Sequence, residues 1–361
     1  MCRIILTNRI ESSIVVNANQ LHFYGGMNEM KKQVTLLAAV LLFLVACTGC
    51  GKTDIEARTD SSGGNQVDQD GKLQVVASFY PMYDFAKKIG GDYAEVKNLV
   101  PSGMEPHDWE PGAQDLVALE RADLFVYNGA GMEHWTEDVL NALDNQDLVV
   151  AEAAKDLELL QSEESGHGHG GHSHNHSHSL GQGDSEHSVD PHVWLDPEKA
   201  KQEMKAILDG FVQADPEHAE YYRKNYETYA GQFDTLDENY REVLQQVKNK
   251  ELITAHEAFG YLCHAYGLEQ QGIEGVVSDS EPDAARMEEI IQFAREHQVK
   301  TIFFEELVSP KVAETIADEV GAKTVVLNTL EGLDQEDLEK GEDYFSVMER
   351  NLKTLEQALN E

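Results

Sequence analysis

Cysteine is nearly missing from the part of this chain that has apolar segments to bury: of four cysteines in 361 residues, Cys2, Cys47 and Cys50 lie near the N-terminus and only Cys263 lies further on. A disulfide framework is therefore excluded there, and stability has to come from core packing. Basic residues are scarce too, with 28 Lys and Arg against 66 Asp and Glu and a formal net charge of −38. Such a surface repels a phosphate backbone and excludes nucleic acid as a partner. It also raises the local concentration of cations, but an acidic surface suits salty or alkaline surroundings equally, so charge selects no function. The N-terminal apolar run, Val34 to Ala46, is too short to span a membrane comfortably. No HExxH signature of a zinc hydrolase occurs anywhere.

What is present begins at Met30, where MKKQVTLLAAVLLFLVACTGCGK gives two lysines, the apolar run, small residues and cysteine. That is an export signal. Its end, Leu44-Val45-Ala46-Cys47, resembles the lipobox of bacterial lipoproteins, which implies a lipid on Cys47 and a membrane anchor at the extracytoplasmic face. Cys50 is less suitably preceded. Residues 1–29 match no targeting pattern and read as an upstream extension, with Met27 and Met30 as later starts. Residues 30–47 are then the signal peptide, and 48–71, polar and glycine-containing, form a flexible tether.

From Leu73 onward strand and helix alternate: LQVVASF, then YPMYDFAKKIGG with Phe79, Met82, Phe85 and Ile89 at helical spacing, and the alternation repeats. This predicts parallel or mostly parallel sheets with helices on their faces. Residues 161–188 interrupt the pattern as a long loop of Gly, Ser, His, Glu and Asp, with His167, His169, His172, His174, His176 and His178 inside it. After a break near Asp215-Pro216, Tyr222, Tyr226, Tyr229, Phe233, Leu236, Tyr240 and Val243 recur every three or four residues, which predicts about thirty residues of helix, roughly 45 Å. A second series follows, with strands expected at Leu252–Ala255, about Gly275–Val277, Thr301–Phe304 and Thr324–Leu327. The expected fold is α/β, with an N-terminal lobe over 72–214, a rigid linking helix over 215–248 and a similar C-terminal lobe over 249–361. A binding site would sit in the interlobe cleft, at strand ends.

Three histidines stand at element ends rather than on apolar faces: His107 in PSGMEPHDWEP, His192 in DPHVWLDP and His256 in ITAHEAFGY. Two of them follow proline, which stiffens the turn, and His256 follows a strand. Neutral imidazoles from three separate segments suit Zn²⁺, which accepts nitrogen and oxygen ligands tetrahedrally. His134, His218, His264 and His297 have the pattern of ordinary capping or surface residues. Trp109 and Trp194 are expected to pack near the site, and Asp190 or Asp196 to accept an imidazole N–H.

The PHDWEP, NGAGME, DPHVWLDP and TAHEAFGY stretches, the histidine-rich insertion and the long helix, in this order, resemble the solute-binding proteins that deliver zinc or manganese to ABC importers, and most closely the zinc-binding members. The resemblance implies metal ligands at His107, His192 and His256. It implies a fourth at Glu331 in VVLNTLEGL, with Glu305 and Glu306 as alternatives. His256 stands where manganese carriers have a carboxylate, so zinc is the implied cargo. The implied partners are an importer permease and its ATPase, with a zincophore left open, and a monomer is expected. Four protein ligands leave no open position for an activated water, so no enzyme is expected. The histidine-rich loop has no fixed geometry and is expected to collect zinc weakly. The competing readings are a manganese carrier and a surface adhesion lipoprotein.

Overall fold

The computed structural model describes residues 71–161, 189–276, 282–307 and 309–361. The expected signal peptide with Cys47, the tether as far as residue 70, and His167 to His178 lie outside the described residues. Among the described residues no helix is long and apolar enough to cross a membrane.

Among the described residues eight strands form two four-stranded sheets. In the first are β1 (Leu73–Ala77), β2 (Ala94–Asn98), β3 (Leu124–Tyr127) and β4 (Val149–Glu152), and in the second β5 (Glu251–Thr254), β6 (Glu269–Gly272), β7 (Thr301–Phe304) and β8 (Lys323–Val326). Every pairing is parallel. The strand orders are β2-β1-β3-β4 and β6-β5-β7-β8, so the second sheet repeats the first strand for strand. Central strands such as LQVVA and TIFF are buried nearly end to end, as parallel strands covered on both faces must be.

The helices of the first series are α1 (Tyr80–Gly90), α2 (Ala113–Arg121), α3 (Thr136–Ala142) and α4 (Pro197–Ala214). Asp215 then breaks the helix, a 3-10 turn covers Pro216–His218, and α5 (Ala219–Leu244) follows. With 26 residues α5 is somewhat shorter than expected, roughly 39 Å long. The Asp215 carboxylate accepts from Tyr222 Oη at 2.7 Å and from His218, which locks that break. The second series adds α6 (Gly260–Tyr266), α7 (Ala284–Glu296), α8 (Lys311–Val320), α9 (Gln335–Lys340) and α10 (Tyr344–Leu359).

Helix α5 packs on α1 and α4 from the first half and on α10 from the second. Its Phe233, Leu236, Tyr240 and Leu244 are buried at helical spacing. They join one hydrophobic cluster that runs from Val75 and Phe85 through to Phe303, Tyr344 and Leu355, so the two halves share a core. A separate cluster joins Ile253 and Ile302 of the second sheet to Ile290 and Ile316, from two helices of the second half. Lys88 of α1, paired within its own helix with Asp84 at 2.7 Å, bridges the halves through Asp343, the N-cap of α10, at 2.9 Å.

Two sequence expectations need correction. Of the strand expected about Gly275–Val277, Val277 lies outside the described residues and Gly275 and Val276 are not strand; the strand of this region is Glu269–Gly272. It is an edge strand reading EQQG, polar and partly exposed, so hydrophobic patterning does not reveal it. Asp196 serves another role: it is the N-cap of α4, its carboxylate accepting from Glu198 N at 2.9 Å. Helix α9 lies unanticipated within the acidic stretch after Glu331.

Candidate metal centre

Each candidate ligand stands beyond the carboxyl end of a parallel strand, where loops of an open α/β sheet build binding sites. His107 lies in the loop after β2, and His192 in the segment after β4. His256 follows β5, and Glu331 follows β8. The side chains of all four are buried, and one ligand atom from each lies within 4.8 Å of the others.

The separations are informative. His107 Nε2 lies 3.2 Å from His192 Nε2, and His256 Nε2 lies 3.3 Å from the same atom. Glu331 Oε1 is 2.9 Å from His192 Nε2 and 3.4 Å from each of the other two. Zinc bonds of about 2.0–2.1 Å at tetrahedral angles put neighbouring donors about 3.3–3.4 Å apart. Four of these five edges fall within about 0.2 Å of that figure, and the fifth, at 2.9 Å, is a carboxylate–imidazole contact. The donor set therefore fits a tetrahedral zinc ion and is too small and nitrogen-rich for an oxygen-preferring octahedral one.

The ring edges facing away from this centre are held as well. Asp190 Oδ1 accepts from both the backbone N of His192, at 2.9 Å, and its Nδ1, at 2.8 Å. That bond keeps the proton on Nδ1 and leaves Nε2 as a lone-pair donor. The turn is braced by Asn128 Nδ2, which donates to Pro191 O at 3.0 Å, and by Tyr261 Oη of α6, which donates to Asp190 O at 2.8 Å. For His256, Glu305 Oε1 accepts from the backbone N at 3.3 Å, while Oε2 stands 3.3 Å from Nδ1 outside hydrogen-bonding geometry. Thr254 Oγ1 donates to His256 O at 2.7 Å and fixes its main chain.

The Glu331 loop is tied at nearly every residue. Asn328 and Asn351 exchange amide bonds, N to Oδ1 at 3.0 Å and Nδ2 to O at 2.7 Å. Asn328 Oδ1 also accepts from Leu330 N at 2.7 Å, supporting Leu330 at φ +60°. Trp194 Nε1 donates to Thr329 O at 2.7 Å, and Ser102 Oγ to Leu333 O at 2.6 Å, so first-half residues hold the second-half loop. A cavity of about 700 Å³ borders it, lined by Glu331, Gly332, Leu333, Asp84, Lys88 and Asp343 among others.

Among the protein groups alone, burial tends to discharge the imidazoles, and for His107 it wins and lowers the pKa. For His192 burial is outweighed by Asp190 and Glu331, which raise the pKa, and for His256 by Glu331 and Glu305, which raise it well above the usual value. Glu331, although buried, is held well below the carboxylate range by His256 and the other two rings. Burial and the Glu331 charge push Glu105 up to about 7. A cluster that pulls protons onto imidazoles around one anion is a cluster that a dication fits in their place.

The structure thus brings together His107, His192, His256 and Glu331. Glu305 lies behind His256, and Glu306 accepts from Asn328 Nδ2 at 2.6 Å, so neither joins the four. Trp194 packs beside His192, ring centroids 5.3 Å apart, whereas Trp109 stacks edge-on against Trp135. His134 is exposed beside Glu110, His218 stacks on Tyr93, and His297 stacks on Phe293. Sequence reasoning missed Thr329, Asn351 and Tyr261, whose types carry no signal until the fold places them.

Two like-folded α/β halves with a cation-sized set of buried donors between their strand ends define a two-lobed metal-binding protein. The chain belongs to the family described as zinc-uptake complex component A, periplasmic, whose model matches residues 75–358. It is 44 % identical over 324 residues to the high-affinity zinc uptake system protein ZnuA of Bacillus subtilis, covering 90 % of this chain and 96 % of that one. It is 39 % identical over 336 residues to the zinc-binding lipoprotein AdcA of Streptococcus pneumoniae, covering 92 % of this chain but only 62 % of that longer protein. The Zn(II)-bound ZnuA-like domain of S. pneumoniae AdcA superposes with a TM-score of 0.67 at 38 % identity, over 81 % of this chain and all of that domain.

Proposed function

We infer that this protein captures Zn²⁺ outside the cytoplasmic membrane and delivers it to an ABC importer as the importer's binding component. His107, His192, His256 and Glu331 are the ligands. The observation that carries this is the match between their mutual distances and the edges of a zinc tetrahedron. The protein is not an enzyme: four protein donors leave no place for a water to be activated. Its partners are the importer's permease and ATPase. A lipid on Cys47 holds it at the membrane through the tether, and His167 to His178 gather the ion weakly nearby.

The test is metal analysis and chelator-competition titration of the purified chain, with His107, His192, His256 and Glu331 each changed to alanine. One tight zinc per chain is expected, lost or strongly weakened in each variant, with any remaining binding weak and multiple. Undiminished tight binding in any one of them would remove that residue from the site.

A further inference from the structure

We infer that Thr329 sets the metal preference of the centre by holding Glu331 to a single ligating oxygen. The inference rests on the zinc-binding role proposed above and names a residue that tunes it.

The two oxygens of Glu331 do different things. Oε1 faces the three Nε2 atoms at 2.9–3.4 Å. Oε2 accepts from Thr329 Oγ1 at 3.0 Å, and both residues are buried, with exposures of 1 % for Glu331 and 4 % for Thr329. A hydroxyl has one proton to donate, and here it is committed to the oxygen that is not aimed at the centre. Thr329 cannot drift away, because Trp194 grips its carbonyl and Asn328 fixes the next residue at positive φ.

A carboxylate with both oxygens free can chelate a cation and raise its coordination number, which suits Mn²⁺. Such a carboxylate anchored through one oxygen supplies a single donor and completes a tetrahedron, which suits Zn²⁺. The Thr329 hydroxyl opposes the tilt that would bring Oε2 to the ion. It therefore discriminates by geometry at a position that never touches the metal, as outer partners of ligands do.

The experiment uses the full chain with Thr329→Val, with Thr329→Ala in case the valine methyl crowds the loop, and with Thr329→Ser as the hydroxyl-retaining control. Zn²⁺ and Mn²⁺ affinities are measured by chelator competition, and Co²⁺ absorption reports coordination, strong for four ligands and weak for five or six. In Thr329→Val we expect zinc affinity to fall about 10-fold or more, manganese affinity to fall less or rise, and the Co²⁺ band to weaken. Thr329→Ser should restore all three. Equal losses for both metals with an unchanged Co²⁺ band would overturn the inference and leave Thr329 a packing residue. A wild-type chain without a tight zinc site would instead defeat the proposed function, and this inference with it.

Discussion

Asp190→Asn probes the centre without touching a ligand. Asp190 is buried and its Oδ1 takes two hydrogen bonds from His192, at 2.9 and 2.8 Å. Asparagine keeps an acceptor oxygen in the same place but removes the charge. A hydrogen bond to a charged group contributes about 1.5–3 kcal/mol and a neutral one about 0.5–1.5, so for the bond to the ring Nδ1 alone the exchange forfeits about 1–1.5 kcal/mol. Zinc affinity at pH 7.5 should then fall about tenfold, at the lower end of what loss of an outer partner does. The deficit shrinks in acid. Asp190 is among the groups that raise the His192 pKa above its usual value, so in the parent protein a proton competes with the metal up to that raised pKa. With asparagine the proton is held less tightly, and the deficit should narrow as pH falls through the raised His192 value, beginning above the ordinary value of about 6.5. Competition titrations of both proteins at pH 5.5, 6.5 and 7.5 measure this directly. An unchanged affinity at pH 7.5, or a deficit that widens in acid, would refute the account of Asp190 as tautomer-fixing partner.

Two further expectations follow from the same geometry. In Gly260→Ala the new Cβ would lie 2.5 Å from Asp190 Oδ2, so the carboxylate must move and zinc affinity should fall about as far as in Asp190→Asn. The double variant should lose little more than either single one, since both act through one contact, and full additivity in the titration would contradict the shared route. The thermal shift produced by zinc should grow with pH. His192 and His256 both have pKa values raised above the usual one, so they are protonated at and below about 6.5 and must shed protons to ligate. At a thousandfold excess over Kd the ion stabilises by about 4.1 kcal/mol, a rise in Tm on the order of 10 °C. Calorimetry at pH 5.5 and 7.5 with equal zinc should show the smaller shift in acid, and a larger one there would reverse the argument.

The fold was legible where burial writes itself into the sequence. Strands such as LQVVA and TIFF are continuous apolar runs, and Phe233, Leu236, Tyr240 and Leu244 mark one face of α5. The edge strand EQQG was illegible because its residues are polar apart from a glycine and only that glycine is buried, and α9 because its turn of helix is charged and mostly exposed. The three histidines stood out for their place at element ends, and resemblance supplied Glu331. What neither could supply was the division of labour around them. Glu305 follows β7 as a ligand might, yet its carboxylate sits behind His256. Asp196 stands four residues past His192 with the spacing of a helper, yet the start of α4 claims it. Such assignments depend on ångströms between segments hundreds of residues apart, as with Ser102 and Leu333.

The shared core has a bearing on how cargo leaves. Phe85 meets Phe233 and Tyr344 edge to face, Phe233 and Tyr344 lie tilted against one another, and Tyr240 is fixed to Met348 O at 2.7 Å. Prising the halves apart like a clamshell would wet several such rings, each worth about 1.5–3 kcal/mol. Unfastening the short segment around Glu331 breaks a handful of hydrogen bonds beside a space already hollow. A pull on that segment alone would take one of the four ligands away from the ion while the rest of the molecule keeps its shape.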